Sequence, residues 1–271
     1  MVTFFVGFFA IALAVSLAIC GMLYVRNKCD IVELRMNHDV ADPMMSVVGT
    51  LFSILLGFLV AGSIQRFDEA RMIVQEEAGA IADVFRSARG LRQPYHLDLE
   101  EKCIKYVDTL IDEEWKLMEN KQSSPAAWKL YSEIWSICIT YQPQTQGESN
   151  VHESILAAIS RMGNFRTLRL AAMNNQLPLG MWLVVLAGGG ATIAFTYFFE
   201  VKSERMQMLM TGLVSTVMAL NIFILANYDY PFSGDIHVLP IAMELDRAIF
   251  HNVLEEDHKH INDVPALPKT K

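Results

Sequence analysis

Hydrophobic and charged positions are segregated along this chain. No charged side chain occurs in four runs, at 1–25, 43–65, 177–199 and 206–228. About 20 apolar residues in an α-helix cross the hydrocarbon core of a bilayer. Because a helix satisfies its own backbone hydrogen bonds in lipid, each run predicts one membrane-spanning helix. The pattern therefore predicts an all-α protein with four transmembrane spans and the lipid bilayer as its surroundings.

The four spans divide the chain into segments. Residues 1–65 hold spans one and two, at about 1–25 and 44–65. Spans three and four fall in 177–228, and 229–271 is predicted to be a polar C-terminal tail. Residues 66–176 form a long polar insert outside the membrane.

Apolar residues recur at helical spacing through the insert, which predicts four helices. The first continues span two as far as about Gly90, and the others lie at about 97–118, 125–141 and 151–175. No proline interrupts the passage from span two into the first of these helices. One continuous helix of nearly 50 residues would be about 70 Å long at 1.5 Å per residue. Spans two and three are therefore expected to extend out of the membrane.

The first run also has a second interpretation, as a cleaved signal peptide. Such peptides carry basic residues ahead of a short apolar core. Here no basic residue precedes the core, and the run is longer than that core. An uncleaved membrane anchor is the favoured interpretation.

Composition argues against several classes of function. The formal net charge is -8, and no basic stripe indicates nucleic acid as a partner. The four cysteines, Cys20, Cys29, Cys103 and Cys138, lack zinc-site spacing. The stretch "DHKH" at 257–260 is interpreted as solvated tail rather than a metal site. No phosphate-binding loop, nucleophile elbow or metalloprotease motif occurs. We therefore predict a protein that is not an enzyme and has no cofactor.

Three charged residues fall on faces that are otherwise apolar. Glu77 lies between Val74 and Ile81 on the stripe of the first insert helix, and Arg166 and Arg169 continue the apolar stripe of the fourth. A buried charge is costly unless it is paired and hydrogen-bonded. The pattern predicts a buried ion pair of Glu77 with Arg166 or Arg169. The alternative is that Glu77 lines a conduit or binds an ion near the membrane surface.

Small side chains recur every three or four residues along span two. They are Ser46, Gly49, Ser53, Gly57 and Ala61. At this spacing they share one helix face. Small faces allow close packing of helices in lipid, and they also leave room for a pore. Both interpretations stay open, and these five residues are the candidate pore lining.

Several phrases of the sequence resemble the bestrophin-like domain family, a bacterial and plant group of unknown function. The phrases are "EEAGAIADVFRSARGL", "YVDTLIDEEW", "RMGNFRTLRLAAMNNQLPLGMW" and "NYDYPFSGDIHV". The motif residues that match are Glu77, Glu114, Trp115, the arginines from Arg161 to Arg169, Pro178, Trp182, Pro231, Phe232 and Gly234. Their order and spacing extend over about 45–250, which makes the combination more specific than any one motif.

The resemblance implies a function. Bestrophins are oligomeric anion channels gated through a helical cytosolic part. It therefore implies a homo-oligomeric ion channel, with anions as the first expectation and span two lining the pore. The phenylalanine-rich neck and acidic calcium clasp of true bestrophins are missing from this sequence. The alternative is a non-conducting sensor or scaffold, whose insert assembles subunits or binds a partner.

Orientation in the cell (inner) membrane depends on lysines and arginines near the span ends. The two short loops hold Arg26, Lys28, Arg35, Lys202 and Arg205, and the opposite side holds Arg66, Arg71, Arg166 and Arg169. No basic residue precedes span one, whereas Arg26 and Lys28 follow it directly. This charge pattern predicts cytoplasmic short loops and an extracytoplasmic insert, where a Cys103–Cys138 disulfide could form. The resemblance to bestrophins implies the reverse orientation.

Overall fold

The computed structural model describes residues 2–28, 38–199 and 203–263. The helices are α1 (Val2–Lys28), α2 (His38–Ala88), α3 (Tyr95–Thr109), α4 (Trp115–Met118), α5 (Pro125–Thr140), α6 (Gln146–Ala172), α7 (Leu179–Phe195), α8 (Glu204–Tyr228) and α9 (Ile241–Asp263). A π-helical stretch, Leu110–Glu114, joins α3 to α4, and a 3₁₀ turn, Thr196–Phe198, follows α7. The all-α fold class is confirmed.

Four helices are long and apolar enough to cross a membrane, which confirms the four predicted spans. Their bounds are Phe5–Lys28, Ser46–Ala88, Leu179–Phe198 and Glu204–Tyr228. Large apolar side chains on these helices are exposed, among them Phe8, Phe58, Leu183 and Val217. Exposed apolar side chains on a helix of spanning length are suited to contact with lipid tails.

Helix α2 is continuous over 51 residues, from His38 to Ala88, so the predicted passage from span two into the insert is confirmed. At 1.5 Å per residue this helix is about 76 Å long. The third span differs from the expectation. Helix α6 ends at Ala172, and Pro178 occupies the N-cap of α7 with an extended ψ of 147°. Since that conformation ends helical geometry, α6 and α7 are separate helices.

The chain divides into two compact units. The membrane unit comprises Met1–Asp68 and Asn175–His237. Its apolar core consists of Phe52, Leu56, Val185, Met218 and Leu225. A Cβ atom on Gly188 would lie 2.3 Å from the Phe52 ring, so glycine is required for this close approach of α2 and α7. Helix α1 contacts α8, and Arg26 Nη1 donates a hydrogen bond to Gln207 Oε1 at 2.6 Å.

The insert unit comprises Glu69–Asn174 and Val238–Lys271. Its buried apolar residues come from α2, α3, α5, α6 and α9 and include Ile81, Leu99, Ile134, Ile159 and Phe250. Cys103 and Cys138 are buried free thiols, so the disulfide considered from the sequence is not formed. Burial raises the pKa of both thiols, that of Cys138 to about 12. Both are therefore protonated at neutral pH.

Two segments of the insert unit differ from the sequence-based expectation. The helix expected at about 97–118 contains the π-helical stretch, where bonds run to the fifth residue. The predicted polar tail contains helix α9, in which Met243 and Phe250 are buried. The Phe250 ring stacks on Phe85 with ring centroids 3.9 Å apart. Two core residues seven positions apart among charged neighbours give only a weak periodic signal.

Several sequence-based interpretations lie outside the described residues. They concern Cys29, Arg35, Lys202 and the side chains of 257–260.

Candidate functional site

Two carboxylates and two guanidinium groups are enclosed together in the insert unit. They belong to Glu77, Glu114, Arg166 and Arg169, and no side chain of the four is more than 1% exposed. Glu77 lies on α2, Glu114 on the π-helical stretch, and both arginines on α6. These four residues are called the buried charge cluster below. Its formal charges sum to zero.

Arg169 holds both carboxylates of the cluster. Its Nε donates to Glu77 Oε2 at 2.6 Å and its Nη2 to Glu77 Oε1 at 3.0 Å, which is a bidentate pair. The same Nη2 donates to Glu114 Oε1 at 2.8 Å, and Nη1 donates to Met118 Sδ. Burial alone would lower the pKa of Arg169, but the carboxylates of Glu77 and Glu114 raise it above its ordinary value. The guanidinium is therefore permanently charged.

Arg166 completes a closed set of contacts. Its Nη2 donates to Glu114 Oε2 at 2.6 Å, and its Nη1 lies 3.4 Å from the Tyr106 hydroxyl. That hydroxyl donates to Glu77 Oε1 at 3.3 Å. The Arg166 guanidinium also lies 5.5 Å from the centre of the Trp128 ring, within cation–π range. Glu114 is thus shared by both arginines, Glu77 pairs with Arg169, and Tyr106 links Glu77 to Arg166.

The backbone around Glu114 and Trp115 fixes the cluster in place. The Ser124 N–H donates to Glu114 Oε2 at 2.9 Å, and the Ser124 side chain caps α5 by accepting from the Ala127 N–H. The Trp115 indole donates to the Val238 carbonyl at 3.0 Å. Its ring centre lies 5.2 Å from the Arg169 guanidinium. The "EW" pair of the family motif therefore serves as a structural junction in this unit.

The structure places the sequence-predicted residues as follows. It brings Glu77 together with Arg169, whereas Arg166 bonds to Glu114 instead. Arg161, which the motif also includes, forms a salt bridge with the exposed Asp83 at 2.7 Å. Sequence reasoning missed the structural role of Glu114. A count of the charges on apolar faces could have indicated it, because two buried arginines require a second buried acid beside Glu77.

The buried charge cluster has a structural role, because its charged groups are paired with one another. Each carboxylate oxygen accepts at least one hydrogen bond from an N–H or O–H group of the unit. In the part of the chain that the structure describes, no group of three or more His, Cys, Asp and Glu side chains is arranged to hold a metal ion. The cluster secures α2 to α6 at a point beyond the apolar part of α2.

Most of the small-residue face of α2 is exposed with respect to the described residues. Ser53, Gly57 and Ala61 are exposed, and a Cβ atom added at Gly49 or Gly57 would meet no atom within 4 Å. Ser46, at the start of the face, is exposed as well. The buried Phe52, Leu56 and Ser63 lie on an adjacent face, about 100° around α2 from the centre of the small-residue face. The candidate pore-lining residues therefore lie outside the buried face of the helix.

A second polar cluster, in the membrane unit, surrounds Asp229. This side chain is 1% exposed at the end of α8. Its Oδ1 accepts from the Leu177 N–H at 2.8 Å and from Arg66 Nη2 at 3.4 Å, and its Oδ2 accepts from the Trp182 indole at 3.3 Å. Arg66 Nη2 also donates to Ser63 Oγ at 2.7 Å. Asp229 thus joins α2, α7 and α8, a role that the sequence did not reveal.

The remaining motif residues shape the chain around Asp229. Pro178 precedes α7, which places Trp182 in the first turn. After Asp229, Pro231 and Phe232 are buried. Gly234 has a φ of +88°, a conformation that residues with a Cβ rarely adopt. These residues turn the chain and position the donors around one carboxylate.

We expect Asp229→Ala to lower the free energy of unfolding by about 2–3 kcal/mol, because it leaves a guanidinium, an indole N–H and a backbone N–H without their acceptor. The measurement is denaturant unfolding of the purified protein in detergent. Asp68→Ala, at an exposed aspartate of the same unit, is the matched control and should change stability by less than about 0.5 kcal/mol. Equal stability of the two variants would contradict the assigned role.

Comparison with known proteins agrees with this architecture. Two solved variants of a bacterial Bestrophin homolog from Klebsiella pneumoniae are 14% identical to the chain. One has a TM-score of 0.64, with 90% of this chain and 99% of that chain covered. The other has a TM-score of 0.65, with 90% and 98% covered. At this identity the similarity establishes the fold. A search of curated proteins finds no match.

A family model supplies the assignment that these distant structures do not. The model of the Bestrophin-like domain matches residues 3–243, which include both clusters and all four spans. The chain therefore belongs to the Bestrophin-like domain family.

Proposed function

We propose that the protein is a homo-oligomeric ion channel in which α2 of each subunit lines the path. The observation that carries this proposal is the mostly exposed small-residue face of α2, along Gly49, Ser53, Gly57 and Ala61. Several copies of this face around a common axis would enclose a narrow passage with few side-chain obstructions. The hydroxyl group of Ser53 would offer a polar contact to ions within it.

The course of α2 adds to the argument. The helix that carries this face continues unbroken into the insert unit, where the buried charge cluster holds it. A signal received by the insert would thus act directly on the lining helix. Family membership supports the same class of function, since bestrophins are oligomeric anion channels. We assign anions as the permeant ions on that basis. The proposal is transport rather than catalysis, because the cluster is enclosed and paired.

The test is reconstitution of the purified protein into planar bilayers. Under a potassium chloride gradient we expect single-channel currents whose reversal potential lies towards that of chloride. A reversal potential near that of potassium would contradict anion selectivity, but the proposal that the protein is a channel would still stand. The absence of current from protein that chemical crosslinking shows to be oligomeric would contradict the channel itself.

One observation favours a second function, a scaffold that binds a partner through its insert. Helix α9 exposes Ile241, Leu245 and Ile249, which are spaced by four residues and so share one face. Exposed aliphatic rows of this kind mark interaction surfaces. A non-conducting oligomer that retains a bound protein through purification would support this function over conduction.

We also propose that the insert lies on the extracytoplasmic side of the cell membrane. The support is the charge pattern around span one, where Arg26 and Lys28 follow an uncharged N-terminal segment. Both basic residues lie in the last turn of α1.

Labelling of Ser149→Cys tests this orientation, because Ser149 is exposed at the start of α6. Cys20 and Cys29 are replaced by alanine, whereas Cys103 and Cys138 stay in place because buried thiols with raised pKa values react slowly. We expect a membrane-impermeant maleimide to label intact cells. The parent protein without Ser149→Cys is the control. Labelling only after lysis would place the insert in the cytoplasm.

A further inference from the structure

Helix α9 has an apolar face on each of two sides. On one side, Met243 and Phe250 are buried in the insert unit. On the other side, exposed apolar residues recur every third or fourth position and so share one helix face. They are Ile241, Leu245, Ala248 and Ile249, and they are called the α9 row below. An exposed aliphatic face of this length indicates a contact outside the subunit.

Helix α5 exposes an aromatic face with similar spacing. Its members are Trp128, Ser132, Trp135 and Ile139, and they are called the α5 row below. Trp128 and Ile139 are more than half exposed, at 54% and 61%. The Trp128 ring stacks on Tyr131 with centroids 5.5 Å apart, and the Arg166 guanidinium lies 5.5 Å from its centre. An exposed tryptophan whose ring is already held in place resembles an interface hot spot, because little side-chain freedom is lost on binding.

The two rows lie on different sides of the insert unit. Helix α3 contacts both α5 and α9. Lys102 of α3 forms a salt bridge with Glu133 of α5, whereas Asp108 of α3 contacts His251 of α9. Six residues correspond to about 600° of helix rotation, so these two positions lie about 120° apart around α3. The α5 row and the α9 row therefore cannot cover each other within one subunit.

Two different apolar faces on one subunit are suited to a ring. In a closed ring of identical subunits, each contact joins one face of a subunit to a different face of its neighbour. A two-fold dimer instead needs a single face that contacts its own copy. The presence of two rows, one aromatic and one aliphatic, thus favours a contact of the ring type.

The charges beside the two rows are complementary. Lys129, next to the α5 row, is 79% exposed and contacts Glu133 only at 3.9 Å, an acid that Lys102 also binds. The described basic side chains of α9 are paired with aspartates of the neighbouring segment. Glu244 and Glu255 of α9 are exposed and form no ion pair among the residues that the structure describes. A basic edge on α5 and an acidic edge on α9 favour contact between unlike rows over contact between like rows.

We propose that the α9 row of one subunit packs against the α5 row of the next subunit around a closed ring. Aliphatic side chains of one subunit then lie on the indole rings of its neighbour, and the acidic edge of α9 lies beside the basic edge of α5. This inference rests on the homo-oligomer of the proposed function but not on conduction. It assigns the α9 row to a second copy of the chain rather than to another protein.

Cysteine crosslinking distinguishes this contact from other arrangements. Ser132→Cys and Ala248→Cys place a thiol near the middle of each row, at exposed positions. Cys20 and Cys29 are replaced by alanine, whereas the buried Cys103 and Cys138 stay in place. After a bismaleimide is added to membranes, the double variant should form a ladder of covalent oligomers, because each subunit is linked to both neighbours. Each single variant should run as a monomer on a denaturing gel, because each contact then holds only one thiol.

Three results of this experiment would overturn the proposal. A dimer formed by Ala248→Cys alone would assign the α9 row to a two-fold contact. A double variant that stays monomeric, while lysine crosslinking shows the wild type to be oligomeric, would leave the α9 row open to a partner protein and leave the proposed oligomer standing. Monomer in both assays would contradict the oligomer as well.

A control pair places the second thiol away from the α5 row. It combines Ala248→Cys with Ser149→Cys, which is exposed at the start of α6. This pair should form no ladder. A ladder as strong as that of Ser132→Cys with Ala248→Cys would show that the crosslinks do not report the α5 row, and it would overturn the assignment.

Leu245→Glu tests the apolar contact itself, in the background of the double cysteine variant. Leu245 is 61% exposed, so the fold of the subunit should be retained, which circular dichroism checks. Leu97→Glu is the matched control, at an exposed leucine of α3 outside both rows. We expect Leu245→Glu to lower the yield of the ladder and Leu97→Glu to leave it unchanged. Equal yields would overturn the proposal, and if Leu245→Glu does not fold, the cysteine pairs alone decide.

Discussion

Glu77→Ala is expected to lower the free energy of unfolding by about 3–5 kcal/mol, because it leaves the buried Arg169 guanidinium without its bidentate partner. Arg169 is fully buried, and Glu77 accepts two of its hydrogen bonds, at 2.6 and 3.0 Å. Glu114 alone cannot replace them, since it also binds Arg166. The measurement is denaturant unfolding of the purified protein in detergent.

Two further variants make this result specific to the ion pair. Glu76→Ala alters an exposed neighbour on the same helix and should change stability by less than about 0.5 kcal/mol. The double variant Glu77→Ala with Arg169→Met removes both charges and leaves Glu114 paired with Arg166. It should be more stable than the sum of the single variants predicts, because neither charge is left alone. Strict additivity would show that the two side chains do not interact.

Gly57→Leu is expected to abolish conductance in reconstituted bilayers. A Cβ atom at Gly57 meets no atom of its own chain, so the added side chain should leave the fold of the subunit intact. In an oligomer built around the small-residue face of α2, four additional carbon atoms from every subunit would converge on the axis. The measurements are single-channel current and the oligomer population after crosslinking in membranes.

Gly190→Leu is the matched control, since Gly190 is an exposed glycine of α7 whose Cβ position is equally open. It should conduct like the wild type. Normal conductance by Gly57→Leu would show that the small-residue face of α2 does not line the pore. If crosslinking of the wild-type protein in membranes yields only the monomer, both the proposed oligomer and the proposed channel are contradicted.

Local periodicity was sufficient to predict the elements of this fold. Uncharged runs predicted the spans, because lipid imposes the same demand on every residue of a crossing helix. The continuous α2 followed from the absence of proline between residues 44 and 90. Glu77 could be singled out since one carboxylate interrupted an apolar stripe.

Partners across helices were harder to predict than elements. Spacing shows which face of a helix a residue occupies, but not which other helix covers that face. Glu114, the partner of Arg166, lies at the end of the π-helical stretch, which sequence periodicity does not show. The donors to Asp229 come from residues 47 to 163 positions away in the chain, a separation over which helical periodicity carries no information.

The number of residues between Gly57 and Glu77, which belongs to the buried charge cluster, sets the angle between these two positions around the axis of α2. Glu77 lies 20 residues after Gly57 on one unbroken helix, and at about 100° per residue the two positions are about 200° apart around its axis. Glu77 and Gly57 therefore lie on nearly opposite sides of this one helix. Adding or deleting one residue between them would change this angle within α2 by about 100°, without changing either side chain. The number of residues between these two positions is thus itself a structural parameter of α2.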